Sequence, residues 1–116
     1  MPPEAKKMLV DILEAADLVF VFLLQRTRSD FESDVQLRSA VQWQLVIVGE
    51  AMTRLRRSYP HVAARVSEYG KIIAFRNQIL HGYDAIRNAI TWQVIEEKLP
   101  VLREEVLALL AEPDTE

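Results

Sequence analysis

The chain has 116 residues, no cysteine, two histidines and a formal net charge of -3. That length suits one domain with a modest core. The missing cysteines exclude disulfides and thiolate metal sites, and His61 and His81 are too few and too far apart for an all-protein zinc site without carboxylate help. Its most apolar run, Leu18 to Leu24, falls far short of the roughly 20 residues that a bilayer-crossing helix needs. Asp11, Glu14 and Asp17 in the opening segment do not suit a signal peptide. The expectation is a cytoplasmic chain with no membrane contact, folded as a single domain over residues 1–116.

Few glycines, few alternating β-branched stretches and long 3.6-residue periodicities make the chain all-α, and an antiparallel four- to five-helix bundle fits the pattern. The first helix is expected from Pro3-Glu4, with proline in its first turn, to about Arg26. Leu18 to Leu24 is apolar all round, which predicts a helix end covered on more than one side. Thr27 to Phe31 reads as a connection, and Ser33 with Gln36 has the spacing of a capping box for the next helix. Along that helix Val41, Leu45, Val48, Met52 and Leu55 follow a bundle seam. The other side mixes Trp43, Val46 and Ile47 with Glu50, Arg54 and Arg57, too apolar for a solvated face. It points to a second internal contact or a second subunit, and a homodimer is the favoured reading.

Tyr59-Pro60 should end this helix, because proline disfavours α geometry in the residue before it. His61 to Val66 reads as a short helical turn with His61 as an ordinary surface histidine. A further helix is expected from Ser67 or Glu68 to Leu80, then a loop from Gly82 to Arg87. The last helix, capped by Asn88, should run to Ala111 with Ile95, Leu99, Leu102, Val106 and Leu109 as its seam and a bend at Pro100. Trp92 reads as packing, and residues 112–116 as a flexible acidic tail.

The segment Phe75-Arg-Asn-Gln-Ile-Leu-His-Gly-Tyr83 departs from a generic bundle. On a helix, Ile72, Ile73, Ile79 and Leu80 fall within roughly 60° of Arg76, so a guanidinium projects from the apolar stripe. Asn77 and His81 lie one turn apart on a flank, and Gly82 suits a helix end. Between Ala51 and Gly82, Arg54, Arg56, Arg57, Arg65, Lys71 and Arg76 stand against the single acid Glu68. Such a local surface suits a polyanion, and Arg54, Arg57 and Lys71 are the candidate residues to bind it. The plain alternative is that these arginines offset a helix dipole and neighbouring acids.

The spacing Arg-Asn, three residues, His, one residue, Tyr resembles the signature of the HEPN superfamily and, within it, of the HepT-like ribonuclease toxins. Ile47-Val48-Gly49-Glu50-Ala51 and the segment from Asp84 to Pro100, with Trp92 and Lys-Leu-Pro, are similar to that family's flanking stretches. The resemblance implies a dimeric helical domain that cleaves RNA without a metal or other cofactor, with Arg76 and His81 catalytic. It also implies a type VII-like toxin–antitoxin pair, in which a partner nucleotidyltransferase adenylylates Tyr83 and silences the nuclease.

The chemistry of the residues agrees with that implication. An imidazole suits proton transfer because both its protonation states are accessible near neutral pH. A guanidinium holds its charge and offers a fork of donors to phosphate oxygens. Asn77 could orient His81 or donate to substrate, and Glu50 could position Arg76 or pair with Arg54 one turn on. Each residue also has a bland reading: Arg76 as a structural partner of Glu50, Asn77 as a cap, His81 as a helix C-terminal residue, Tyr83 as loop packing. A non-catalytic nucleotide- or substrate-binding subunit of a nucleotidyltransferase is the alternative function, and a plain dimeric scaffold a third.

Overall fold

The computed structural model describes residues 1–81 and 88–114, and all the regular structure among them is helical. α1 spans Pro3–Phe22 and buries Ala5, Leu9, Ile12, Ala16 and Val19 at helical spacing. It stops a turn before the expected Arg26. Leu24 N–H reaches Val21 O at 3.2 Å, and Gln25 takes a left-handed φ of 59°. The reason lies just downstream. Thr27 is the extended N-cap of α2 (Arg28–Ser33), in a reciprocal capping box with Asp30, so the chain must leave α1 before it. Leu18, Val21 and Leu24 stay exposed; the second cover expected for this apolar end does not come from the described residues.

The expected Ser33–Gln36 box does not form. The Ser33 hydroxyl donates to Ser29 O at 2.9 Å, and Asp34 instead caps α3 (Val35–Ser58) by accepting from Leu37 N–H. That bond holds the Asp34 carboxyl below its ordinary range, with help from Arg26. All five expected seam residues of α3 are buried. Tyr59 and Pro60 end it as expected, and the Tyr59 hydroxyl donates to Glu4 at 3.0 Å, so the end of α3 lies beside the start of α1. Pro60–Ala63 forms the short α4.

The last helical stretch is not one bent helix. α6 (Asn88–Gln93) passes through a π-turn at Val94–Lys98 into α7 (Leu99–Ala111), and Leu99 N–H bonds Val94 O. Pro100 explains this: it lacks an N–H and its ring crowds the carbonyl four residues back, and widening the preceding turn relieves that crowding. The five expected seam residues are buried here too. Trp92 packs on Phe31 of α2 with ring centroids 5.5 Å apart. α7 runs antiparallel to α1, tied by Arg103 to Asp17 at 2.6 Å and by Lys6 to Asp114 at 2.7 Å. Glu112 accepts a two-pronged pair from Arg65, so Glu112 and Asp114, expected in a frayed tail, are both held.

α5 spans Tyr69–His81 and therefore includes the histidine. It is entered through Glu68, whose φ is 56° and whose carboxylate is kept below its ordinary range by Lys98 and Lys71. The loop expected at 82–87 lies outside the described residues. None of the described helices is long and apolar enough to cross a membrane.

Candidate active site

Gly49 determines how α5 meets α3. A Cβ built on it would lie 2.1 Å from Arg76 Cβ and 2.6 Å from Arg76 Cγ, far inside the roughly 3.5–4.0 Å of carbon–carbon contact. Only a residue without a side chain lets the Arg76 stem lie there. This accounts for a charge within an apolar stripe. Ile73 is buried, with Ile72 and Ile79 partly buried, and they join the core cluster. The Arg76 stem takes the notch between them, and its guanidinium emerges beside Glu50. The contact is thus internal to one chain and needs no subunit seam to explain it.

Two acceptors orient the guanidinium. Arg76 Nη2 donates to Glu50 Oε2 at 2.5 Å, and Nη1 donates to Asn77 Oδ1 at 2.6 Å. Nε is buried and meets no acceptor among the described residues. Of the five N–H groups a guanidinium carries, one on each Nη remains to be offered outward. The Arg76 side chain is 23% exposed and Glu50 46%, so the pair is solvent-accessible at one edge and fixed at the other. The sequence left Glu50 two possible partners, and the one it meets is Arg76. Asn77 is spent on Arg76 through its oxygen, which leaves its amide N–H groups for another acceptor.

His81 is the last residue of α5 and is exposed, with no hydrogen bond among the described residues. It lies five positions on from Arg76, roughly 7.5 Å along the helix axis and about 140° around it. No hydrogen bond joins the two side chains within one chain. Tyr83 lies outside the described residues. Arg54 and Arg57 follow Glu50 by about one and two turns of α3 and line a cleft with Glu4, Lys7, Met8, Asp11 and Ser58. Lys71 is elsewhere, paired with Glu68 at 3.2 Å on a groove with Ile72, Phe75 and Gln78. His61 is exposed in α4.

Gly49 is the site residue whose role sequence reasoning missed. The available signal was a glycine inside a 24-residue helix, where it is unfavourable relative to alanine by roughly 0.5–1 kcal/mol.

The described residues form a helical domain in which an arginine is notched onto a Gly-Glu pair, with Asn beside it and His ending the same helix. A model of the family described as "Ribonuclease HepT-like" matches residues 12–109, and the chain belongs to that family. Among similar proteins, one from Methanocaldococcus jannaschii, named for gamma-glutamylcyclotransferase and a candidate RNase, is 28% identical over 98% of this chain and 51% of its own length. The chain spans about half of that relative. Another from the same organism, named as a candidate RNase, is 29% identical over 89% of this chain and 94% of its own. A Thermococcus cleftensis protein named "probable ribonuclease HepT" is 26% identical over 84% and 88%. No solved structure matches the chain at a significant level.

Proposed function

We propose that this chain is a metal-independent endoribonuclease in which Arg76 and His81 carry the reaction. The observation that carries this reading is the Arg76 guanidinium, seated on Gly49 and oriented by Glu50 and Asn77 with one N–H left on each Nη. The ribose 2′-oxygen attacks the adjacent phosphorus while a base takes its proton. The bond from phosphorus to the 5′-oxygen breaks, and an acid protonates that oxygen, leaving a 2′,3′-cyclic phosphate and a 5′-hydroxyl. Arg76 stabilises the charge gathering on the phosphoryl oxygens, and His81 moves a proton.

Base and acid are both required, and one chain offers one imidazole at this place. A homodimer in which His81 of the partner subunit faces the same phosphate supplies the second. The half-covered outer side of α5 and the exposed Trp43 support such a pairing.

The finer biological reading is a toxin of a type VII-like pair, silenced when a partner nucleotidyltransferase places adenylate on Tyr83. Two residues beyond His81, added phosphates would compete for Arg76 and repel the substrate. The alternative, a non-catalytic binding subunit, uses the same cation without proton transfer. The test is incubation of the purified chain with mixed RNA in EDTA, beside equally folded Arg76→Ala and His81→Ala chains. Cleavage by the parent alone, with cyclic-phosphate ends, supports the nuclease. An unmodified chain that binds RNA and cuts none overturns it in favour of the binding subunit. Intact mass reports an adenylate on Tyr83.

A further inference from the structure

Every described lysine, and every described arginine outside one short stretch, donates to an acceptor. Lys6 meets Asp114, Lys7 meets Asp11, and Lys71 and Lys98 both meet Glu68. Arg26 and Arg28 pair with acids, Arg38 donates to the Glu32 carbonyl, and Arg65, Arg76 and Arg103 pair across helices. Arg54, Arg56 and Arg57, at the end of α3, make no hydrogen bond or ion pair among the described residues. They are the guanidinium groups left with their donors directed to solvent.

Two of the three share a cleft. Arg54 and Arg57 face Lys7 and Met8 of α1 across a space of about 390 Å3, which Glu4 and Asp11 also line. Both carboxylates already have donors: Glu4 accepts the Tyr59 hydroxyl, and Asp11 holds Lys7. With Lys7 spent on Asp11, the cleft sets the two unpaired cations Arg54 and Arg57 against the single charge of Glu4, a formal excess of one positive charge, with Met8 giving it an apolar wall. Along α3, Arg54 lies roughly 40° to one side of Glu50 and Arg57 roughly 20° to the other. Arg56 projects roughly 200° around the helix from Arg54 and does not line the cleft.

We infer that an RNA strand passing through the Arg76 centre continues along α3 into this cleft, where Arg54 and Arg57 neutralise its backbone phosphates and Met8 faces a base. This rests on the ribonuclease reading for the position of the cut. The electrostatic contact itself requires only that single-stranded RNA binds. A phosphate strand suits the arrangement because guanidinium groups one turn apart on one helix face offer separate forks to separate anions. The same arginines would favour the negative end of α3's dipole whether or not RNA binds, so the test reads RNA affinity against salt rather than stability alone.

The probe is a fluorescein-labelled, mixed-sequence single-stranded RNA, followed by anisotropy on a His81→Ala background over a range of salt. For a single strand, each phosphate that is no longer neutralised lowers the slope of log affinity against log salt by about 0.7. The Arg54→Gln/Arg57→Gln pair should lower it by about 1.4, and should raise KM for cleavage when made in the parent chain. Arg56→Gln, which changes charge equally per residue and sits beside them, should leave the slope unchanged.

An unchanged slope in the double variant overturns the inference even if the parent cuts RNA, and would turn attention to an acidic protein as the occupant. An equal fall in slope per residue from Arg56→Gln overturns it in favour of a diffuse field. If the parent binds RNA and the double variant shows the expected fall in slope, but the parent cuts nothing, the cleft stands and the ribonuclease reading falls. If the parent neither binds nor cuts, both fall.

Discussion

The α1–α3–α7 bundle and the motif helix α5 are built on different terms. α3 buries nine residues and α1 six, and the bundle's ends are closed by Tyr59–Glu4, Lys6–Asp114 and Arg103–Asp17. α5 buries only Ile73 fully, leans on α3 through the Gly49 notch, and is separated from α7 by a groove of about 570 Å3 floored by Leu45 and Val48. The bundle is held by redundant apolar packing. α5 is held mainly against α3, by Ile72, Ile73 and Ile79 around the Gly49 notch, so the residue that seats it there also fixes where the Arg76 guanidinium lies. Stability and function should therefore separate across the molecule, except at Gly49.

The sharpest test of that separation is Arg76→Ala. RNA cleavage should fall by about 10³-fold, about 4 kcal/mol of transition-state stabilisation, while the thermal midpoint barely moves; initial rates and a melt check both. Leu9→Ala, at a fully buried position of α1, should do the reverse. It should cost about 2–4 kcal/mol in a urea titration, with the rate per folded molecule unchanged. Gly49→Ala should break the division. The added methyl must push α5 away, costing about 1–3 kcal/mol of stability and about 100-fold in rate through the misplaced guanidinium. If Gly49→Ala melts lower but cuts at the parent's rate, the notch is packing alone.

Glu50→Gln should keep a hydrogen-bond acceptor but remove the charge. Its stability cost should stay under about 1 kcal/mol, as for other solvent-accessible pairs, with a rate change of about tenfold. The smallest effect belongs to the bundle. Asp34 has a folded-state pKa below its ordinary value because it accepts from Leu37 N–H. Its contribution is therefore complete above the ordinary carboxylate pKa of about 3.9 and is lost as pH falls through the lower folded value. Asp34→Asn should lower the midpoint at neutral pH and flatten its decline below about pH 4, as read by melts across pH.

Much of this molecule was written in local pattern. The seams Val41 to Leu55 and Ile95 to Leu109 follow helical period alone, and Pro60 ended α3 through the geometry of a single peptide. The motif Arg76-Asn77 with His81 was equally visible, since it is a spacing within one helix. The end of α1 was not, because Thr27 and Asp30 box the start of a short helix where the sequence reads as a plain connection, and the start of α3 was not, because Asp34 rather than Ser33 caps it. Nor was the π-turn before Pro100, which is one of several ways a helix can absorb a missing N–H.

Sequence by itself determined the helical class, the buried seams and the candidate residues, because periodicity and covalent geometry act over a few residues. Tertiary structure decided what those residues meet. Glu50 had partners within reach both along its own helix, at Arg54, and across to α5, at Arg76, and it meets Arg76. The choice fell to the distance between two helix axes, set by a missing Cβ at Gly49, a quantity that belongs to neither helix alone.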